Sequence, residues 1–182
     1  SYESINEALL HGGIANRLKV QLHYIDSELL TEENAVLQLE NMDGILVAPG
    51  FGERGTEGKI AAIKIARTQQ LPFFGICLGM QMAIVEFARN VVGIASANSG
   101  ENRPDHPENV IDLMPEQSGH EETGGTMRLG SQTTVLTEGS LIAKVYNKTT
   151  ISERHRHRYE VMNEFVPKFE AAGLSISGKH PE

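Results

Sequence analysis

The stretch Leu71-Pro72-Phe73-Phe74-Gly75-Ile76-Cys77-Leu78-Gly79-Met80-Gln81 constrains this chain more than any other. Its apolar run, opened by a proline, has the pattern of a short strand buried on both faces. Gly-x-Cys-x-Gly then forces a sharp turn, and Met80 to Arg89 has helical spacing. A strand that becomes a helix within a few residues puts Cys77 on an elbow, where glycines at 75 and 79 remove Cβ atoms that would collide. The helix N-terminus behind the sulfur favours thiolate over thiol. A lone cysteine is most often a small apolar core residue, but two flanking glycines at a strand–helix junction favour a nucleophile.

The segments before the elbow repeat the same alternation. Residues 2–13 put Ile5, Ala8 and Leu9 on one helical face and are predicted to stop at Gly12-Gly13. Leu18 to Ile25 alternates apolar and polar residues and reads as a strand. Asp26 to Asn41 is acidic and loosely helical. Ile45-Leu46-Val47 reads as a second buried strand, running into the turn Ala48-Pro49-Gly50-Phe51-Gly52-Glu53-Arg54-Gly55. Gly58 to Gln69 is a helix with its stripe at Ile60 and Ile63. Strand, helix, strand and helix with short links predict a parallel α/β sheet.

After Arg89, residues 90–126 read as surface loops with one strand at Val110 to Met114. Met127 to Leu136 reads as an antiparallel strand and Leu141 to Tyr146 as a short helix. The basic run Ile151 to Val161 follows, then an amphipathic stretch from Asn163 to Ala172 and a strand starting at Leu174-Ser175-Ile176.

Length and charge narrow the function. The 182 residues suit one domain with a proper core. A formal net charge of −8 argues against nucleic acid as the main partner. One cysteine excludes an internal disulfide, and no apolar run approaches the roughly 20 residues of a membrane span. The expectation is a cytoplasmic chain with no membrane partner. Ser rather than Met at position 1 makes an excised piece of something longer the expectation.

A cysteine nucleophile needs two donors for an oxyanion and a histidine to move the proton. The backbone N–H groups of Leu78 and Gly50 are the candidate donors, because both predicted parallel strands end on the same edge of the sheet. Among seven histidines, His11 and His23 read as surface residues, and His106 and His120 lie in loops. His155 and His157 alternate with Arg154, Arg156 and Arg158, which would share one strand face. Five consecutive basic residues in an acidic chain point to a carboxylate or phosphate ligand. His180-Pro181-Glu182 offers a base and an acidic orienter two positions apart, on the same side of an extended segment.

These residues carry a resemblance. Gly-Ile-Cys77-Leu-Gly-Met-Gln, the Pro49 to Gly55 turn and the His-Pro-Glu ending resemble the class I, triad-type glutamine amidotransferases. Gly124-Gly-Thr-Met-Arg-Leu-Gly130 and Glu153-Arg-His-Arg-His-Arg-Tyr-Glu-Val161 are similar to the glutaminase domains of the CTP synthase family. The resemblance implies a three-layer α/β sandwich, mostly parallel with an antiparallel extension on a flavodoxin-like core. It implies Cys77 as nucleophile toward L-glutamine, with His180 and Glu182 completing the triad. Substrate binding would fall to Gly50, Leu78, Gly79, Met80, Gln81, Glu101 and Arg158, with no metal.

By the same resemblance this domain holds no cofactor. ATP and Mg2+ would serve a separate synthase domain, GTP would act as an allosteric activator, and the full-length enzyme would be a homotetramer. The chain departs from the family pattern at Pro49, where a glycine is usual, and in the segment before His180. The first strand, part of the C-terminal strands and the synthase domain are expected to lie outside residues 1–182. A catalytically silent module of the same fold and a related cysteine hydrolase, such as a γ-glutamyl hydrolase, are the alternatives.

Overall fold

The computed structural model describes residues 2–113 and 128–181. The expectations for His120, residues 124–127 and Glu182 therefore lie outside the described residues. The chain divides into two compact units, Ser1–Gly79 and Met80–Glu182.

In the first unit, β1 (Ile45–Val47) and β2 (Phe73–Gly75) pair in parallel, Ile45 opposite Phe73 and Val47 opposite Gly75. Parallel neighbours need a crossover, and α3 (Thr56–Thr68) supplies it. Ile60 and Ile63 are buried as the periodicity predicts, and Ala61, Ala62 and Ala66 widen the buried face beyond that stripe. β2 corrects the reading of a strand buried on both faces. Phe74 is 59% exposed, because β2 belongs to a two-stranded sheet and its outward face has no cover within that unit.

Two further expectations fail here for related reasons. The helix α1 (Glu3–Ala15) runs through Gly12 and Gly13 instead of stopping at them. Gly13 serves packing: a Cβ there would stand 2.6 Å from a methyl of Val20, and the Leu18 N–H donates to the Gly13 carbonyl at 2.8 Å. The following segment, residues 18–25, forms no strand. Alternation supplies two faces but no ladder, and the described chain offers this segment no strand to pair with. The acidic stretch after it holds a 3-10 turn at Ser27–Leu29 and α2 (Ala35–Gln38).

The helix α4 (Leu78–Phe87) begins in the first unit and continues in the second, ending in a wide π turn at Ala88–Val92. One sheet of the second unit joins β3 (Asn98–Ser99), β4 (Asn109–Leu113) and β7 (Tyr159–Val161), the first pair parallel and the second antiparallel. The other sheet has β5 (Arg128–Leu136) between β6 (Thr150–His157) and β8 (Gly178–Lys179), both antiparallel to it. A short helix α5 (Leu141–Tyr146), capped by the Ser140 hydroxyl accepting from the Ala143 N–H, links β5 to β6. Phe169 of α6 (Val166–Ala171) is fully buried, with its ring edge-on to Phe87.

Two readings of this unit need correction. Residues 97–100 read as surface loop but are buried, Ser99 fully. The Gly100 N–H donates to the Ile111 carbonyl at 2.8 Å, so this polar stretch joins the sheet. The predicted strand at Leu174 instead starts at Gly178. Leu174 is tied to the end of α6 through its N–H to the Phe169 carbonyl at 2.9 Å. Among the described residues, no helix is long and apolar enough to cross a membrane.

Candidate active site

Cys77 sits where the sequence puts it, between the last rung of a parallel ladder and the first turn of a helix. The Ile76 N–H donates to the Val47 carbonyl at 3.0 Å, Cys77 follows, and Leu78 opens α4. Cys77 has a φ of 54°, the left-handed region. A residue with a Cβ pays roughly 1–3 kcal/mol to stay there, and such strain persists where the surrounding structure over-determines it. Cys77 is half-buried and outside any disulfide.

The elbow is held by two close approaches. A Cβ on Gly79 would lie 2.1 Å from the Val47 carbonyl oxygen, so only glycine lets the first turn of α4 rest on the end of β1. A Cβ on Gly50 would lie 3.3 Å from a methyl of Leu78. The turn after β1 therefore lies against the residue that follows the nucleophile. Leu78, only 2% exposed, is the first helical residue, where an N–H has no partner four residues back. Gly50 and Leu78 thus share one small region beside the sulfur-bearing residue. Met80 is 41% exposed on the outer side of α4.

A second group forms around Tyr159. Gln81, 4% exposed, donates from its amide Nε2 to the Tyr159 carbonyl at 3.2 Å. Glu101 lies just past β3, its N–H donating to the Ser99 hydroxyl at 3.3 Å. Burial pushes the Tyr159 phenol above its ordinary pKa, the charges of Glu101 and Asp112 push it further, and Arg158 opposes them. Gln81, Glu101 and Arg158 thus converge on one residue that the sequence reading did not single out.

Arg158 is the single residue between β6 and β7, which belong to different sheets. This corrects the shared face expected for Arg154, Arg156 and Arg158. Arg154 and Arg156 are exposed on β6, whereas Arg158 is half-buried where the chain changes sheets.

The histidines of the basic run occupy the other face. His155 Nδ1 and His157 Nε2 are 2.8 Å apart, and His157 Nδ1 lies 3.2 Å from the Tyr159 carbonyl. Arg128 pairs with Glu160 beside them, and His157 is 3.9 Å from the same carboxylate. Burial holds the His155 imidazole below its ordinary pKa, helped by His157 and Arg128, opposed by Glu160, and lowered further by His180. His180, half-buried just after β8, is thus within electrostatic reach of this group. The i, i+2 spacing of the two histidines signalled a shared face; the Arg128–Glu160 pair left no signal in sequence. Two cavities of the second unit, one at Ile94 and Lys168 and one on the β5–β6 hairpin, contain none of the predicted site residues.

A cysteine elbow with adjoining glycine turns, on an α/β fold, defines a nucleophile-elbow class of protein. The chain belongs to the class I glutamine amidotransferase family: the model described as glutamine amidotransferase class-I matches residues 1–182. It is 52% identical to CTP synthase of Syntrophus aciditrophicus and 56% identical to CTP synthase of Geobacter sulfurreducens. Both matches run over 182 residues, covering all of this chain and 34% of the relative. The chain thus spans about a third of the length of these curated relatives. Among solved structures, the Trypanosoma brucei CTPS glutaminase domain with bound acivicin matches with a TM-score of 0.90 at 38% identity. That match covers 97% of this chain and 68% of the other.

Proposed function

We propose that this chain is the glutaminase part of a CTP synthase. In that reading the Cys77 thiolate attacks the side-chain amide carbon of L-glutamine. The carbonyl electrons move onto oxygen, where the N–H groups of Gly50 and Leu78 hold the oxyanion. Collapse breaks the C–N bond, ammonia leaves with a proton from His180, and a γ-glutamyl thioester remains on Cys77. Water, deprotonated by His180, cleaves the thioester to glutamate and regenerates the thiolate. Glu182 orients the His180 ring.

Glutamine carries an ammonium and a carboxylate on one carbon, and Glu101 and Arg158 supply the opposite charges. Gly79, Met80 and Gln81 complete the binding segment. The ammonia passes to a separate synthase domain, outside residues 1–182, which uses ATP and Mg2+ to aminate UTP. The same reading holds that GTP activates the full-length enzyme, that it assembles as a homotetramer, and that it works in the cytoplasm.

The observation that carries this reading is Cys77 at φ 54° directly before α4, with Gly50 packed beside Leu78. Incubating the chain with glutamine and measuring glutamate and ammonia in equal amounts tests it. Release from the unmodified chain and none from Cys77→Ala supports it. Release that survives the substitution refutes it, and release from neither points to a catalytically silent module.

A further inference from the structure

The basic run leaves two histidines that the proposed chemistry does not use, and their hydrogen bonds determine where their protons sit. The Tyr159 carbonyl can only accept, so at 3.2 Å the His157 Nδ1 must carry the proton. With the ring neutral, Nε2 of His157 then offers a lone pair. His155 Nδ1, 2.8 Å away, must therefore be the donor to it. Both rings are held as the Nδ1–H tautomer, in a chain from His155 to His157 to the Tyr159 carbonyl.

The same carbonyl accepts from the Gln81 amide at 3.2 Å. One oxygen is therefore gripped by two donors, from α4 and from β6. That oxygen lies one residue beyond Arg158, which falls between the two ladders: His157 pairs with Arg128 of β5 and Tyr159 with Leu113 of β4. The bond between the His157 ring and the Tyr159 carbonyl closes a loop around the Arg158 backbone and so limits the φ and ψ that set the direction of its side chain. We propose that His157, with Gln81, clamps the Tyr159 carbonyl and so positions Arg158 to take the carboxylate of the substrate. His155 in turn fixes the tautomer of His157. The proposal rests on the reading of Arg158 as the glutamine-carboxylate ligand.

Burial holds the His155 imidazole below its ordinary pKa, with His157, Arg128 and His180 acting the same way and Glu160 opposing them, which suits His155 as the neutral donor of this chain.

Two readouts test this. Ring 15N shifts of the full chain should show His155 and His157 as Nδ1–H tautomers; an Nε2–H tautomer at His157 overturns the clamp whatever the catalytic activity. In glutaminase assays, His157→Phe should raise KM for glutamine about five- to tenfold, the loss of roughly one hydrogen bond, with kcat within about twofold. His157→Asn puts an amide N–H near the Nδ1 position and should recover most of that loss, whereas His157→Gln reaches the Nε2 position and should not. An unchanged KM in His157→Phe, or equal behaviour of Asn and Gln, refutes the positioning role. No glutamine turnover by the unmodified chain would instead overturn the functional reading, and the tautomers would still test the clamp.

Discussion

The elbow around Cys77 and the cluster around Tyr159 are built on opposite principles. The elbow is nearly contiguous: residues 75–79 with the adjoining ends of β1, and a single left-handed residue aims the side chain. The Tyr159 cluster draws on α4, the segment after β3, the β6–β7 link and β5, with Gln81 reaching across 78 positions of sequence. A site made of one sharp turn fails as a whole when a backbone atom is displaced. A site assembled from distant side chains fails by degrees, one hydrogen bond at a time.

Substitutions should separate the two behaviours, beginning with the largest effect. Cys77→Ala should lower glutamine turnover by at least about 10³-fold, as loss of a nucleophile does in other triads. The urea midpoint should hardly move, because a half-buried sulfur contributes little packing. Gly79→Ala comes next. With its new methyl 2.1 Å from the Val47 carbonyl, α4 or β1 must shift. The expected cost is about 2–3 kcal/mol of stability and about 10²-fold in turnover. A normal rate in Gly79→Ala would show that the elbow tolerates displacement, and the contrast between the regions would fail.

The assembled site should respond more gently. Arg158→Ala should raise KM for glutamine about 10- to 100-fold, as expected for a charge-assisted hydrogen bond, with kcat nearly unchanged. An unchanged KM would mean the guanidinium serves another partner.

The smallest effect concerns pH. His155 is held below its ordinary pKa in the folded chain. Below about pH 6.5 the unfolded chain then binds more protons at this position than the folded one, so stability is full above that value and falls as pH drops through it. The urea midpoint should therefore be lower near pH 5.5 than near pH 7.5, roughly one unit on either side of that value. His155→Phe, which cannot titrate, should narrow the difference; an unaltered pH dependence would place its origin elsewhere.

How much was legible in sequence follows the same division. Gly75, Cys77 and Gly79 announced the elbow because strand, turn and helix each have local signatures and lie end to end. The short helix at Leu141 and the antiparallel strand ending at Leu136 were legible for that reason too. Residues 97–100 were not: Ala-Asn-Ser-Gly is polar and reads as loop, and only the bond from Gly100 to Ile111 makes it sheet. Leu18 to Ile25 failed in the other direction, since alternation states a preference that a pairing strand must realise. Arg158 was expected on a strand face with Arg154 and Arg156, and nothing local marks position 158 as the point where the chain changes sheets. The Tyr159 carbonyl is a main-chain atom, so residue type could not announce it.

The most direct measurement is the intact mass of the protein after acid quenching during turnover of glutamine, with the modified peptide located by fragmentation. The account predicts one γ-glutamyl group on the peptide carrying Cys77, released as glutamate on longer incubation and absent from Cys77→Ala. Glutamate formation with no acyl group on Cys77, or with the group on another residue, would contradict it.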